Sequence, residues 1–415
     1  QIDLLRHYSP GRWITHNFMT RHWSLDYWKL AKDLDFVSFD NYPHGVNEPA
    51  EVSMNMDLMR SFKRRSFWVM EQQPGPVNWH PHRPPVPPGQ VRIWTHQAIA
   101  HGAEAVVYFR FRAGRYGQEQ YHTGLFKWDA SPDQAFHEAQ AVARDVAPLP
   151  DFTRPPARVA IVFDYDDLWS IELEPGNQAF SYWNLVFALY RAYWSVNIPV
   201  DFVPRGADPA GYDTLIVPAP ILIHPGEVET WRGWVEQGGR LIVTFRAGVR
   251  EASNIATDTP LPGGGLADLL GAHVIDFYSV PPASYHSWPD HRPGQQIGAV
   301  SNSRTLAYHI WAETLAPTTA KTLFVYNDGL TAGHAAITRR AMGDGEAIYL
   351  GCWPEDVAEL ARVLGWIPRT ASRLQQATLS GADGSQWRLT LNHSGQRLEG
   401  LDGFGIRYEK MNGEA

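Results

Sequence analysis

The first 150 residues repeat one unit: a short β-branched or aromatic run, a polar or Gly/Pro-rich loop, then an amphipathic helical stretch. The runs are Trp13–Met19, Asp35–Asn41, Phe67–Gln72 and Ala105–Phe111, with helices expected near Leu25–Asp33, Ala50–Arg65, Gly89–Ala103 and Asp133–Val146. Apolar strands that alternate with helices call for a parallel sheet covered by helices. Polar residues gather just after each run: Asn17, Asp40 with Tyr42, Glu71, then Arg110 and Arg112. Together these features predict a (β/α)₈ barrel, whose chemistry sits at the carboxyl ends of its strands.

The arithmetic limits that reading. A complete barrel takes about 250 residues and eight strands, and only four strands precede the change of pattern near residue 150. Four strands leave two open edges, so residues 1–150 are expected to form the C-terminal half of the barrel. Gln1 also opens inside what reads as a helix end. Four further βα units are therefore expected from an N-terminal segment, either upstream in the same chain or on a separate polypeptide.

The proline-rich stretch Pro148–Pro156 reads as a linker. Beyond it, residues 151–368 predict a doubly wound, Rossmann-like α/β domain. Its strands are expected at Arg158–Phe163, Thr214–Pro218, Arg240–Phe245, His273–Phe277, Thr322–Tyr326 and Glu346–Gly351, and its helices at Phe180–Trp194 and Gly226–Gln237. Residues 369–415 alternate polar and apolar positions between Gly, Asp and Ser turns. They predict a small antiparallel, sandwich-like β-domain with strands at Arg373–Leu379, Gln386–Asn392 and Gly403–Glu409.

Composition excludes some function classes. A formal charge of -8 supplies no basic stripe for nucleic acid. No apolar run approaches the roughly 20 residues that cross a bilayer, and the single cysteine, Cys352, allows no internal disulfide. A cytoplasmic location is the expectation. Aromatic residues make up 13% of the chain; they serve either as core packing or as faces on which sugar rings stack.

Glu71 ends an apolar strand in SFWVMEQQPGPVNW (Ser66–Trp79). A strand-terminal carboxylate there is either an ion-pair partner or a nucleophile held at the barrel mouth. The segment WVMEQQPGPVNW resembles the nucleophile motif of glycoside hydrolase family 42 β-galactosidases. FDNYP (Phe39–Pro43), VYFRFR (Val107–Arg112) and GQEQYHTGL (Gly117–Leu125) follow the same family's order. The resemblance extends to the whole chain, because that family follows its barrel with a Rossmann-like trimerisation domain and a small β-domain.

The resemblance implies retaining hydrolysis of terminal β-D-galactosides, with Glu71 as nucleophile, Trp79 as a wall of the galactose site, and Glu119 and His122 as hydroxyl-binding groups. Asp40 and Tyr42 join the substrate site, either orienting Glu71 or ordering the strand end. His122 is expected to donate to a sugar hydroxyl, and Trp79 has the alternative of merely capping the barrel against Pro81–Pro88. The family's acid/base Glu has no counterpart in residues 1–415 and is expected in the missing N-terminal segment. α-L-Arabinopyranoside hydrolysis, and a non-catalytic sugar-binding or oligomerisation scaffold, are the alternatives.

No cofactor or metal is expected. His96 and His101 stand five apart, off one helix face, with no cysteine nearby in sequence. Cys352 reads as a buried thiol. A homotrimer is implied by the resemblance, and Trp231 and Trp234 on one helix face either its neighbour or their own sheet.

Overall fold

The computed structural model describes residues 1–43, 48–281 and 295–411. They gather into two compact units, one of Gln1–Pro156, Trp194–Pro199 and Thr370–Ala415, the other of Ala157–Tyr193 and Val200–Arg369.

In the first unit, α1 (Ile2–Tyr8), β1 (Asn17–Met19), α2 (Tyr27–Ala31), β2 (Ser38–Asn41), α3 (Pro49–Ser61), β3 (Phe67–Gln72), α4 (Gln90–Ala100), β4 (Ala103–Tyr108) and α5 (Gln134–Val146) follow in chain order. The four strands form one parallel sheet in the order β1-β2-β3-β4. Helix starts obey local chemistry. Asp26 and Asp133 accept from the backbone N–H of Lys29 and Gln134, and Pro49 opens α3 where no intrahelical donor is needed. β1 is shorter than the expected Trp13–Met19, and Trp13 itself lies outside it and exposed.

A register skip in β3 decides which way Glu71 points. Phe39 pairs with Val69, yet Asp40 pairs with Glu71, so Met70 is an extra residue opposite β2. Simple alternation would put Glu71 on the buried face of Phe67 and Val69. The bulge instead brings it level with Asp40, on the face shared by Ser38 and Trp68, and leaves Gln72 level with Asn41. Asn41 Nδ2 donates to Gln72 Oε1 at 2.9 Å on that opposite, fully buried side.

α3 is buried on nearly every side, and its Asp57 is drawn into a network of charged and polar groups. Asp57 forms an ion pair with Arg154, accepts from His101 Nδ1 at 2.8 Å and lies 4.0 Å from Arg60 Nε. His101 Nε2 continues the network to Gln375 Nε2 at 2.8 Å, and Gln375 Oε1 to His393 Nε2 at 2.6 Å. Burial lowers His101 to about 3 and His393 to about 3, so both imidazoles are neutral. Asp57→Ala would remove the buried carboxylate that faces the Arg154 and Arg60 guanidinium groups. The expected cost is about 3–5 kcal/mol, measured by denaturant unfolding of the protein with its barrel complete.

The proline-rich stretch expected to be only a linker contains β5 (Phe152–Thr153), which pairs with Ser380 and Gly381. With Gln375–Gly381, Gln386–Leu391 and Ile406–Lys410 it forms a four-stranded antiparallel sheet. Leu379, Leu389 and Leu391 of that sheet share one core with Val91, Ile93 and Trp94 of α4 and Ala135 of α5. Residues 375–410 therefore close the core of the barrel segment, where the sequence marks off 369–415 by itself. A pairing across more than 200 residues leaves no local trace.

The second unit holds an eleven-stranded sheet among the described residues. Val200–Val203, Val159–Val162, Thr214–Val217, Arg240–Thr244 and Gly345–Leu350 are parallel neighbours, flanked by helices Tyr165–Leu173, Tyr182–Trp194 and Glu227–Glu236. The expected strands near His273–Phe277 and Thr322–Tyr326 exist, but they are antiparallel to their neighbours. Thr305–Pro317 and Ala335–Met342 are strands that the sequence pattern did not mark. Only Gly343 and Asp344 separate Ala335–Met342 from Gly345–Leu350, far too few residues for a parallel crossover. The doubly wound half is thus extended by an antiparallel half.

Trp231 is buried in the core beneath this sheet, and Trp234 packs against the same cluster, so both face their own sheet. Near the carboxyl ends of Val159–Val162 and Val200–Val203, where doubly wound domains hold ligands, buried Arg205 pairs with Asp167, with Glu227 at 2.7 Å and with Asp164 at 3.5 Å. Cys352 is buried, and burial pushes its thiol far above the usual range. No helix among the described residues is long and apolar enough to cross a membrane.

Candidate active site

Side chains from the start of β1 and from just beyond β2 converge on Glu71. Asn17, at the start of β1, donates from Nδ2 to Glu71 Oε1 at 3.3 Å, and Tyr42, just after β2, donates from Oη to Oε2 at 2.7 Å. Each carboxylate oxygen thus receives one donor, Oε1 from Asn17 and Oε2 from Tyr42. Burial and the donated bond to Glu71 push the Tyr42 phenol well above its ordinary range, so it remains a donor at any working pH.

Tyr42 is also the hinge of the aromatic wall. Its ring meets Trp79 edge-on at 5.1 Å and His122 at 5.8 Å, and Phe109 meets His122 edge-on at 5.4 Å. Trp79 is half exposed, at 49%, with the His80 ring packed 4.2 Å from its own. His122 is buried, and its Nδ1 lies 3.0 Å from the Thr123 carbonyl. A carbonyl can only accept, so Nδ1 carries the proton. Burial lowers this histidine below its ordinary range, which leaves Nε2 as a bare lone pair with no protein partner among the described residues. The sequence led us to expect a donor here; with the proton on Nδ1, Nε2 can only accept.

Glu119 forms an ion pair with Arg110, and its side chain is 44% exposed. The loop from residue 110 to 126 that carries Glu119 and His122 is tied down at both ends. Leu125 N donates to Arg110 O at 2.9 Å, and Thr123 Oγ1 to Pro76 O at 2.7 Å. Two glycines permit this approach. A Cβ on Gly75 would meet Thr123 Cγ2 at 2.7 Å, and one on Gly124 would meet Ala113 N at 2.6 Å. The loop after β3 and the loop after β4 are therefore pressed together, which brings Glu119 and His122 to the Glu71 side.

Asp40 stands beside Glu71 in the ladder. Burial, then the neighbouring Glu71 charge, push its carboxyl up to about 7. Of the six residues expected from the sequence, Asp40 and Tyr42 adjoin Glu71, Trp79 and His122 meet the Tyr42 ring, and Glu119 pairs with Arg110. Asn17 and Arg110 were visible as polar strand ends without a role, and Phe109 gave no signal beyond its aromatic neighbours.

The histidines considered as metal ligands serve the core instead. His96 contacts Tyr408 Oη at 2.8 Å and Asp145 Oδ2 at 3.1 Å, and His101 belongs to the Asp57 network. Among the described residues no group of three His, Cys, Asp or Glu side chains could hold a metal ion.

Residues 1–149 match the glycoside hydrolase family 42 model, described as beta-galactosidase, and residues 157–366 match the model of the beta-galactosidase trimerisation domain. Among curated relatives, the chain is 37% identical over 375 residues to beta-galactosidase Bga of Halorubrum lacusprofundi, covering 86% of this chain and 53% of that one. It is 35% identical over 434 residues to a beta-galactosidase of Thermus thermophilus, covering 98% and 62%. The chain thus spans little more than half the length of these relatives.

Solved structures resemble it over nearly its full length. The beta-galactosidase of the Antarctic haloarchaeon Halorubrum lacusprofundi has a TM-score of 0.89 at 32% identity, covering 99% of this chain and 65% of that one. The beta-galactosidase from Bacillus circulans gives 0.89 at 26%, again over 99% and 65%. From the barrel segment that presents Glu71 to the trimerisation domain that follows it, the chain belongs to glycoside hydrolase family 42.

Proposed function

We propose that this chain supplies the nucleophile half of a retaining β-galactosidase. The observation that carries the reading is the setting of Glu71, a strand-end carboxylate with one donor on each oxygen and an aromatic wall beside it. A nucleophile must attack the anomeric carbon as an anion held in one orientation, and the Asn17 and Tyr42 bonds fix that orientation.

In this reading Trp79 stacks on the apolar face of galactose, His122 Nε2 and the Glu119 carboxylate accept from its hydroxyls, and Arg110 steadies Glu119. Attack forms a galactosyl ester on Glu71 as the C1–O bond to the leaving group breaks. A second carboxylic acid about 5–5.5 Å away protonates the departing oxygen, then deprotonates the water that hydrolyses the ester. That acid/base comes from four further parallel strands outside these 415 residues, which complete the barrel across the open edges of β1 and β4. The trimerisation domain holds three copies together.

Proton NMR of the first-formed product tests the mechanism. β-Galactose is expected from a nitrophenyl β-galactoside; α-galactose as the first product would replace double displacement by single inversion.

A further inference from the structure

We propose that Asp40 serves the reaction as a neutral carboxylic acid, a positioning group that keeps its proton while Glu71 is ionised and donates it to a hydroxyl oxygen of the substrate. The inference rests on Glu71 being the nucleophile.

The geometry places two carboxyl groups at one level of adjacent parallel strands. The bulge at Met70 makes Asp40 and Glu71 register partners, so both side chains leave the sheet on the same face. Strands about 4.8 Å apart cannot carry two anions side by side at low cost, and one of the pair holds a proton. The available donors decide which. Glu71 receives Asn17 Nδ2 on one oxygen and Tyr42 Oη on the other. Asp40 Oδ1 is buried and has no hydrogen-bond partner among the described residues.

The groups that face Asp40 confirm the direction. On β1 its register partner is Met19, which is uncharged. On α2 the Tyr27 hydroxyl accepts from Met19 N at 3.1 Å, and on β3 the charge is that of Glu71. Tyr42, on its own side, spends its proton on Glu71. None of these supplies a positive charge. The carboxyl accordingly titrates near 7, because burial and then Glu71 raise it.

A protonated carboxyl differs from a carboxylate in what it can bind. It offers one O–H donor, whereas Glu71, Glu119 and the Nε2 of His122 are all acceptors. A sugar hydroxyl that donates to one of those acceptors can accept from Asp40 in turn. Above its titration point Asp40 would present a second anion and lose that donor.

The sign of the linkage is fixed. A carboxyl raised above its unfolded value near 3.8 favours folding least at high pH. The penalty is absent below pH 4, grows as pH rises through the interval to about 7, and is constant beyond it.

Asp40→Asn keeps a donor of the same shape and cannot ionise; Asp40→Ala removes the donor. Both are compared with wild type in the protein with its barrel complete, by kinetics on methyl β-galactoside and by thermal unfolding from pH 4.5 to 8.5. The Asn variant is expected to retain most of kcat/KM at pH 5.5, to fall less than wild type above pH 7, and to melt higher than wild type only at neutral and alkaline pH. The Ala variant is expected to raise KM by up to about 10-fold, the value of one neutral hydrogen bond, with kcat less affected. If Asn proves as damaging as Ala at every pH, or if its Tm advantage is the same at pH 4.5 as at pH 8, Asp40 works as an anion and the proposal is overturned. The melting comparison does not require turnover, so it stands even if Glu71 is shown not to be the nucleophile.

Discussion

Glu71→Gln is expected to lower kcat/KM for nitrophenyl β-galactosides by about 10⁴-fold or more, equivalent to roughly 5.5 kcal/mol of lost transition-state stabilisation. The amide has the shape of the carboxylate and can still meet Asn17 or Tyr42, but it cannot form the ester to C1. The fold should survive, because the substitution removes a charge beside the raised Asp40 carboxyl rather than a buried partner. Circular dichroism and melting temperature should therefore change little while turnover nearly vanishes. Covalent trapping supplies the positive control. A 2-fluoro galactoside slows breakdown of the glycosyl ester, and peptide mapping should place the label within Phe67–Gln72. A label on any other carboxylate removes Glu71 from the role, and with it the assignment of the surrounding wall.

A polypeptide of these 415 residues made alone is expected to be insoluble or inactive. β1 offers only three residues of pairing to β2, and β4 pairs only with β3 among the described residues. Two strand edges therefore present unpaired backbone groups, a template for association with other chains. Val107 on β4 and Trp13 and Phe111 beside the sheet are exposed, at 43%, 75% and 69%. In a closed barrel, inward side chains from the opposite strands would cover this face. The chemistry needs the same addition, because Glu71 can attack but nothing assigned here protonates the leaving group. Co-expression with a segment that supplies four more βα units should restore both solubility and turnover. A soluble, monodisperse product of the 415 residues that hydrolyses a nitrophenyl galactoside would show that the second carboxylate lies within this chain.

The sequence was most informative where structure is local. Strand and helix positions in the barrel segment follow from apolar runs, caps and punctuation, since Asp26, Pro49 and Asp133 act within one turn. The gathering of Asp40, Tyr42, Glu71, Trp79, Glu119 and His122 was legible because a parallel barrel sends every strand end to one face. The second unit was legible only in its parallel half. Antiparallel strands such as Thr305–Pro317 answer to partners far away rather than to a pattern of their own.

By itself, then, the sequence determined the βα order, the strand end on which the candidate nucleophile sits and the kind of residues around it, because propensity, capping and apolar periodicity act over a few residues. Tertiary structure alone decided the rest. The one-residue skip at Met70 turned Glu71 onto Asp40's face, a consequence of how β3 meets β2 and not of β3's own alternation. The Thr123 carbonyl fixed the tautomer that makes His122 an acceptor. Burial beside Glu71 raised Asp40, and a strand formed by Phe152 and Thr153 tied Gln375–Gly381 and its sheet to the barrel segment. Register, tautomer and desolvation depend on neighbours brought together from distant parts of the chain, and no local pattern encodes them.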